Sequence, residues 1–341
     1  MKVEFLSPEA SRWRTFVQCE EHDFYHLPSY VALCARGEDA EPCALHIEDS
    51  GRRVLLPLLL RPLAEGLRDA TSPYGYPGPL VAGTTDPTFL ADALAAAQHV
   101  LAQRQVVSLF IRSHPLLGSP LSAHNGTVVQ HGFTLSVDLA LPLEELWRRT
   151  SSGHRNEIRQ ATRAGHRVFF DEHFAHLDTF VRIYRDTMTR LNAGGYYLFS
   201  DEYFANLIEA LGPRVRLCVV QIGDEIAGGG LFVETCGLVQ YHLSGFDRRF
   251  VRERPTKLML HFVRTWAKER GFRRIHLGGG VGGEEDSLFR FKAGFSTDRH
   301  PFHTLRIVCD RLAYGQLVRT AHPEADPADC SGFFPLYRRP A

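Results

Sequence analysis

Short apolar runs bounded by turn residues recur in two places along the chain. Cys43-Ala-Leu-His-Ile47, the turn Glu48-Asp-Ser-Gly51 and residues 54–60 read as one hairpin; residues 215–222, the turn Gly223-Asp224 and residues 226–233 read as another. Glycine at each turn supplies the positive φ that a tight hairpin needs. Downstream of each hairpin a helical pattern starts at a proline, Pro87-Thr-Phe-Leu and Pro255-Thr-Lys-Leu, 168 residues apart (255 less 87). Proline suits a first helical turn, where its missing N–H has no partner to lose. Helices are predicted over 91–103 and 259–270, each followed by an apolar strand, 106–111 and 274–277. The shared order and offset point to a duplicated unit of helix, hairpin, strand, helix and strand.

A helix is predicted to begin at Leu141-Pro-Leu-Glu-Glu-Leu-Trp147 and to continue toward Arg163, which puts the boundary between the halves near residue 145. The end of the chain carries Gly332-Phe-Phe-Pro-Leu-Tyr337. Aromatic side chains gain little in water, so this tail is expected to pack back on a domain. Two domains are therefore expected, 1–145 with the tail 311–341, and 146–310, which agrees with the prior from 341 residues.

Composition narrows the class. With 44% hydrophobic and 23% charged residues the chain is neither disordered nor fibrous. Its longest apolar run, 54–60, is far short of the ~20 residues that span a bilayer, and the polar, proline-containing N-terminal stretch does not read as a secretory signal. Seven cysteines, an odd number without a CxxC pair, read as reduced thiols. A cytoplasmic protein without membrane contact is the expectation, and a monomer.

Net charge is zero, 39 basic against 39 acidic residues, which argues against coating nucleic acid by bulk charge. The distribution is uneven. Residues 1–50 carry ten acids against four bases; residues 148–167 carry six arginines against Glu157 alone; residues 248–274 carry ten Lys/Arg against Glu253 and Glu269. Arg155, Arg159 and Arg163 recur every four residues and share one helix stripe suited to phosphate oxygens, or equally to plain solvation. Only four of the basic residues are lysines, so each lysine stands out.

Candidate chemistry concentrates in the second half. Gln240-Tyr-His-Leu-Ser-Gly-Phe-Asp247 closes a strand, and Gly278-Gly-Gly-Val-Gly-Gly283 follows the next one. The glycine run matches neither phosphate-loop pattern, so it is a backbone approach or a plain loop. Lys292 lies between Phe291 and Phe295, where a partly desolvated cation can stabilise charge on a reacting carbonyl, or simply end an amphipathic segment. Thr71-Ser-Pro-Tyr-Gly-Tyr-Pro-Gly-Pro79 makes a rigid aromatic loop. His300-Pro-Phe-His303 lacks a third ligand, so neither a metal nor another cofactor is expected.

In their order, Phe24-Tyr-His-Leu-Pro-Ser-Tyr30, Tyr74-Gly-Tyr-Pro-Gly-Pro79, His154-Arg-Asn-Glu-Ile-Arg-Gln-Ala161, Tyr241-His-Leu-Ser-Gly245, Leu277-Gly-Gly-Gly280 and Phe291-Lys-Ala-Gly-Phe295 resemble the Fem-type (FemABX) aminoacyltransferases and their tandem GNAT-like relatives. The resemblance implies an α/β (α+β) fold of two GNAT-like domains, each a mixed sheet flanked by helices, with the C-terminal tail returning to the first. It implies transfer of an amino acid from aminoacyl-tRNA to an amine on a small peptide-type acceptor. It maps the catalytic positions onto Lys292, Phe291 and Tyr241, and acceptor contacts in an interdomain cleft onto Tyr74, Tyr76, Arg155 and Ser244. Arg159, Arg163, Arg248, Arg249 and Arg252 would meet the tRNA.

The coiled-coil arm of some family members has no room in 145–210, which points to the shorter branch and to an antibiotic-type peptide acceptor ahead of a peptidoglycan precursor. An acyl-CoA-dependent N-acyltransferase of the same fold is the alternative. Residues 245–254 lack the Q/R-x-x-G-x-G/A turn that holds a CoA pyrophosphate in GNAT enzymes, and helix N–H groups would be poorly presented to it. A non-catalytic RNA- or ligand-binding module is the third reading.

Overall fold

The structure, a computed structural model, describes residues 1–118, 120–191, 194 and 197–340. It divides into two compact units, Met1–Gly132 with Pro301–Ala341, and Phe133–His300. The divisions thus fall at 132/133 and 300/301, where the sequence pattern suggests 145 and 310.

The first unit contains β1 (Lys2–Leu6), α1 (Ser11–Cys19), α2 (Pro28–Glu38), β2 (Glu41–Asp49), β3 (Arg52–Pro62), β4 (Arg68–Thr71), β5 (Leu80–Ala82), α3 (Phe89–Gln103) and β6 (Val106–Arg112). The chain leaves this unit within β7 (Thr127–Asp138). The second unit contains α4 (Leu143–Arg149), α5 (Ser152–Arg163), β8 (Arg167–Phe170), α6 (Leu177–Arg190), α7 (Asp201–Leu211), β9 (Val215–Ile222), β10 (Glu225–Thr235), β11 (Leu238–Phe246), α8 (Pro255–Glu269), β12 (Arg274–Gly278) and α9 (Ser287–Ala293). The chain returns within β13 (Asp298–Val308) and ends with α10 (Arg311–Ala321) and the tail.

Each unit carries a mixed sheet with the same internal order. In the first it runs β1-β2-β3-β4-β6-β13, and in the second β8-β9-β10-β11-β12-β7. All neighbours are antiparallel except the pair bridged by the long helix: β4 with β6 around α3, and β11 with β12 around α8. A parallel pair needs such a crossover, and an amphipathic helix supplies it. The sixth strand of each sheet comes from the other half of the chain. Val137 of β7 pairs Ile275, and Leu305 of β13 pairs Ile111.

In the first unit, hairpin residues Leu45, Ile47, Val54 and Leu56 pack fully buried under Phe89, Leu94, Ala97 and Leu101 of α3. Each such Leu, Ile, Val or Phe side chain contributes about 1.5–3 kcal/mol. The hairpin turns at Ser50 and Gly51, both with positive φ, 53° and 84°. On the opposite face, Tyr314 and Val318 of α10 pack with Val107, Phe334 and Leu336. The tail is also anchored by charge. Buried Asp69 accepts from Arg61 Nε at 2.8 Å, Arg338 Nε at 2.5 Å and Tyr337 Oη at 3.2 Å.

One continuous helix toward Arg163 does not form. The structure places α4 and α5 end to end with a break at Thr150, whose backbone is extended (φ −68°, ψ 134°). Ser151 ends the first helix by capping the second, its Oγ accepting from His154 N at 3.3 Å. No helix among the described residues is long and apolar enough to cross a membrane.

Candidate active site

The second unit gathers most of the predicted positions. β12 ends at Gly278, and the chain turns through Gly279–Gly283 before Asp286 starts α9. Asp286 organises this turn, Oδ1 accepting from Phe289 N at 2.8 Å and Oδ2 from Val281 N at 3.2 Å. Gly280 is required here, because a Cβ would lie 2.0 Å from Glu284 O and 2.5 Å from Asp286 Oδ1.

Phe289 and Lys292, three residues apart on α9, both point inward. Lys292 is 8% exposed, and its Nζ donates to Gly279 O at 2.6 Å. Burial lowers its pKa to about 8, with the Asp286 carboxylate pulling weakly the other way. Among the described residues no carboxylate lies within ion-pair distance of Lys292; its held proton faces a backbone carbonyl. An ammonium so poorly compensated is suited to gain from negative charge that develops later.

Phe291, beside it, packs half-buried against the core of the unit and meets Phe295 edge to face at 5.9 Å. Its carbonyl oxygen accepts from His154 Nε2 at 2.9 Å. Ser151 N donates to Gly294 O at 2.8 Å, so the first turn of α5 is latched onto the last turn of α9. A Cβ at Gly294 would come within 2.4 Å of the His154 ring, which explains the glycine.

Tyr241 and Ser244 lie together on β11, joined by a hydrogen bond between their hydroxyls. The Tyr241 ring stacks on Phe232 at 5.3 Å, and burial pushes its pKa up to about 12, with Ser244 opposing. It keeps its proton through neutral pH and can pass it only in exchange for another. The pairing of β11 with β12 covers Leu238↔Arg274 to Gln240↔His276, while β11 continues to Phe246. There α6 takes over as neighbour, Thr187 Oγ1 accepting from Phe246 N at 3.2 Å.

The arginines divide by what holds them. Arg155 Nη1 donates to Arg148 O at 2.9 Å and also to Thr150 O, closing the end of α4. Arg249 is held by Asp247 at 2.9 Å and Glu225 at 2.6 Å. Arg163, Arg248 and Arg252 are exposed, and Arg159 is exposed with its guanidinium 5.2 Å over Trp147. Helices α5 and α8 run antiparallel. Glu157 pairs with Lys257, and seven residues back and seven on, Thr150 Oγ1 meets Arg264 Nη1 at 2.7 Å. That register sets the start of α8 beside the middle of α5, with Arg254 Nε 3.9 Å from Glu157.

Tyr74 and Tyr76 belong to the first unit. Tyr74 O accepts from Tyr30 Oη at 3.2 Å, and the Tyr76 ring meets Tyr25 at 5.8 Å and Phe302 at 5.2 Å, both edge to face. The sequence marks neither Ser151 nor Arg264, and it marks His154 and Gly279 only as members of motifs. Arg264 is 2% exposed; among the described residues it has no carboxylate partner, and its guanidinium meets Leu146 O, Thr150 Oγ1, His261 and the Phe295 ring, with burial lowering its pKa to about 10. His154 and Gly294 each stand inside quoted motifs; the missing signal was that the two motifs touch.

Comparison with known proteins places the fold. Residues 148–293 match the acetyltransferase (GNAT) domain family, Acetyltransf_6. No curated protein matches the chain. Among solved structures it is similar to FemX, with 13% identity, TM-score 0.69, and coverage of 93% of this chain and 99% of that one. It is also similar to the C-terminal domain of a putative lysylphosphatidylglycerol synthetase from Agrobacterium fabrum, at 14% identity and TM-score 0.54 over 86% of this chain and 90% of that one. A conserved protein of unknown function from Bacteroides thetaiotaomicron gives 10% identity and TM-score 0.55, over 89% and 99%. Acyl transfer is the reaction class that a GNAT domain supports. The chain has the fold of the Fem-type, tandem GNAT-like superfamily.

Proposed function

We propose that the protein is an aminoacyltransferase that moves an amino acid from aminoacyl-tRNA to an amino group of a small peptide-type acceptor. The observation that carries this reading is Lys292, a buried ammonium on α9 that reaches the glycine turn with its proton only loosely held. The neutral acceptor amine attacks the ester carbonyl carbon, the carbonyl oxygen becomes an oxyanion beside Lys292, and the ester C–O bond breaks. The proton lost by the amine ends on the departing ribose oxygen, with the Tyr241–Ser244 hydroxyl pair as relay. The ester is already activated, so positioning supplies most of the rate. Phe291 shields the site from water. The exposed Arg159, Arg163, Arg248 and Arg252 would meet phosphates of the donor; Arg155 and Arg249, already engaged, would contribute less. The aromatic face of Tyr76, with Tyr74, is the acceptor contact we propose in the first unit. We place the reaction in the cytoplasm, where charged tRNA is found, with the protein as a monomer.

The test is reconstitution with total charged tRNA and a cell extract, followed by mass analysis for an amino-acid gain on a small peptide. RNase should abolish the gain, and Lys292→Met should abolish it in a folded protein. The match of 148–293 to an acetyltransferase domain favours one rival, an acyl-CoA-dependent N-acyltransferase. Product formation that survives RNase and requires a CoA thioester would establish that rival instead.

A further inference from the structure

We propose that His154 is a positioning residue for Lys292, acting through the Phe291 carbonyl to hold the last turn of α9 against the glycine turn. The proposal rests on the reading of Lys292 as the cation at the reacting carbonyl.

A helix of seven residues has little cohesion of its own, because its terminal carbonyls lack intrahelical partners. In α9 the Phe291 carbonyl receives Gly294 N at 3.2 Å, while Phe295 N turns instead to Lys292 O at 3.0 Å. The helix therefore stops within one residue of Lys292, where its side-chain direction is least determined from within. His154 supplies what is missing. It is 9% exposed, its Nε2–H donates to Phe291 O at 2.9 Å, and its ring meets Phe295 edge to face at 4.9 Å. The neighbouring bond from Ser151 N to Gly294 O ties the same two turns together. Donation to a carbonyl fixes the ring nitrogen that carries the proton. The charges on its own side are Glu157 and Lys257, which pair with each other, so the imidazole serves α9 as a neutral donor.

Lys292 reports its own surroundings without any substrate. The full-length protein is labelled with acetic anhydride across a pH series, and acetylation of Lys292 is read by peptide mass mapping. In the native protein the labelling midpoint should fall at about 8. In His154→Phe, which keeps an aromatic ring but loses the donor, the lysine is released to water and the midpoint should move toward the ordinary lysine value near 10. His154→Asn, whose amide is too short to reach, should behave the same way and serves if the phenylalanine variant fails to fold. His154→Gln, which can place an N–H near the Nε2 position, should keep the native midpoint. Turnover with charged tRNA should fall about 100-fold in the phenylalanine variant and recover largely in the glutamine variant. An unchanged midpoint in both His154→Phe and His154→Asn overturns the proposal, as does an equal shift in all three variants. Retained turnover in Lys292→Met would instead remove the reading of Lys292, and the labelling result would stand apart from it.

Discussion

Lys292 Nζ reaches the carbonyl oxygen of Gly279, thirteen residues earlier, at 2.6 Å. One carbonyl is poor compensation for a buried ammonium, which in water has a full hydration shell. The fold therefore carries a local cost at this position, of the kind that active sites sustain for function. Lys292→Met should remove that cost: at pH 7 the variant should be more stable by about 1–3 kcal/mol, the upper figure being a shift from 10.5 to about 8. Urea denaturation decides it, and a variant less stable than the parent would show that the lysine is adequately paired.

The same group sets a pH dependence whose sign follows from its lowered proton affinity. Below about pH 8 both folded and unfolded chains hold the proton, and the penalty is fully present. Between about 8 and 10.5 the folded state sheds it first, so stability contributed by this site rises with pH. Turnover moves the opposite way, because stabilising an oxyanion needs the ammonium. A rising limb from the acceptor amine should give way to a decline above about pH 8, close to tenfold per unit. Rates that keep climbing through pH 9.5 would exclude Lys292 as the acid form required.

Asp69 clips the C-terminal tail. It is fully buried, and Arg61 and Arg338 are 19% and 30% exposed, so the pairs are only partly screened by water. Asp69→Asn keeps the shape and removes the charge that both guanidiniums face. With a discount for their exposure the loss should be about 2 kcal/mol by urea denaturation. Removing residues 333–341 should cost more, because Phe334 and Leu336 leave the cluster around Tyr314. A tail deletion within 0.5 kcal/mol, roughly the range of neutral surface changes, would mean the tail is dispensable to the first unit.

Much of this was legible beforehand because it is local. Hairpins at Ser50-Gly51 and Gly223-Asp224 and the helix opening at Pro255 follow from turn chemistry and period alone, whereas the helix expected from Pro87 opens two residues later, at Phe89. Three features depend on contacts that no periodicity carries. Thr150 and Ser151 break a helix that composition would continue, because Ser151 spends its N–H on Gly294 and its hydroxyl on the new helix. The sixth strands, β7 and β13, are exchanged between halves, and a repeat read along the chain has no means of showing which sheet each joins. His154 and Gly294 lie 140 positions apart (294 less 154), and their complementarity exists only once α5 meets α9. Lys292 is the reverse case: its rarity among arginines marks it in the sequence, and the fold buries it.

The exposed arginines of α5 and of the turn 248–254 yield the last prediction. Glu157 is the single acid in the α5 stretch, and it is already taken by Lys257, with Arg254 Nε 3.9 Å away. Among the described residues no ion pair holds Arg159, Arg163 or Arg252, and phosphates would replace condensed counterions on the nucleic acid. Each phosphate contact through Arg159, Arg163 or Arg252 should contribute close to one unit to the slope of log affinity against log salt. Replacing all three with alanine should lower that slope by about two to three and weaken tRNA binding at 0.1 M salt about 100-fold, with folding unaffected because the side chains are exposed. Arg249→Ala is the internal comparison: Asp247 and Glu225 already claim its guanidinium, so the slope should change by less than about one. Filter binding of charged tRNA across a potassium chloride series measures both. An unchanged slope in the triple variant would move the nucleic-acid contact away from these arginines.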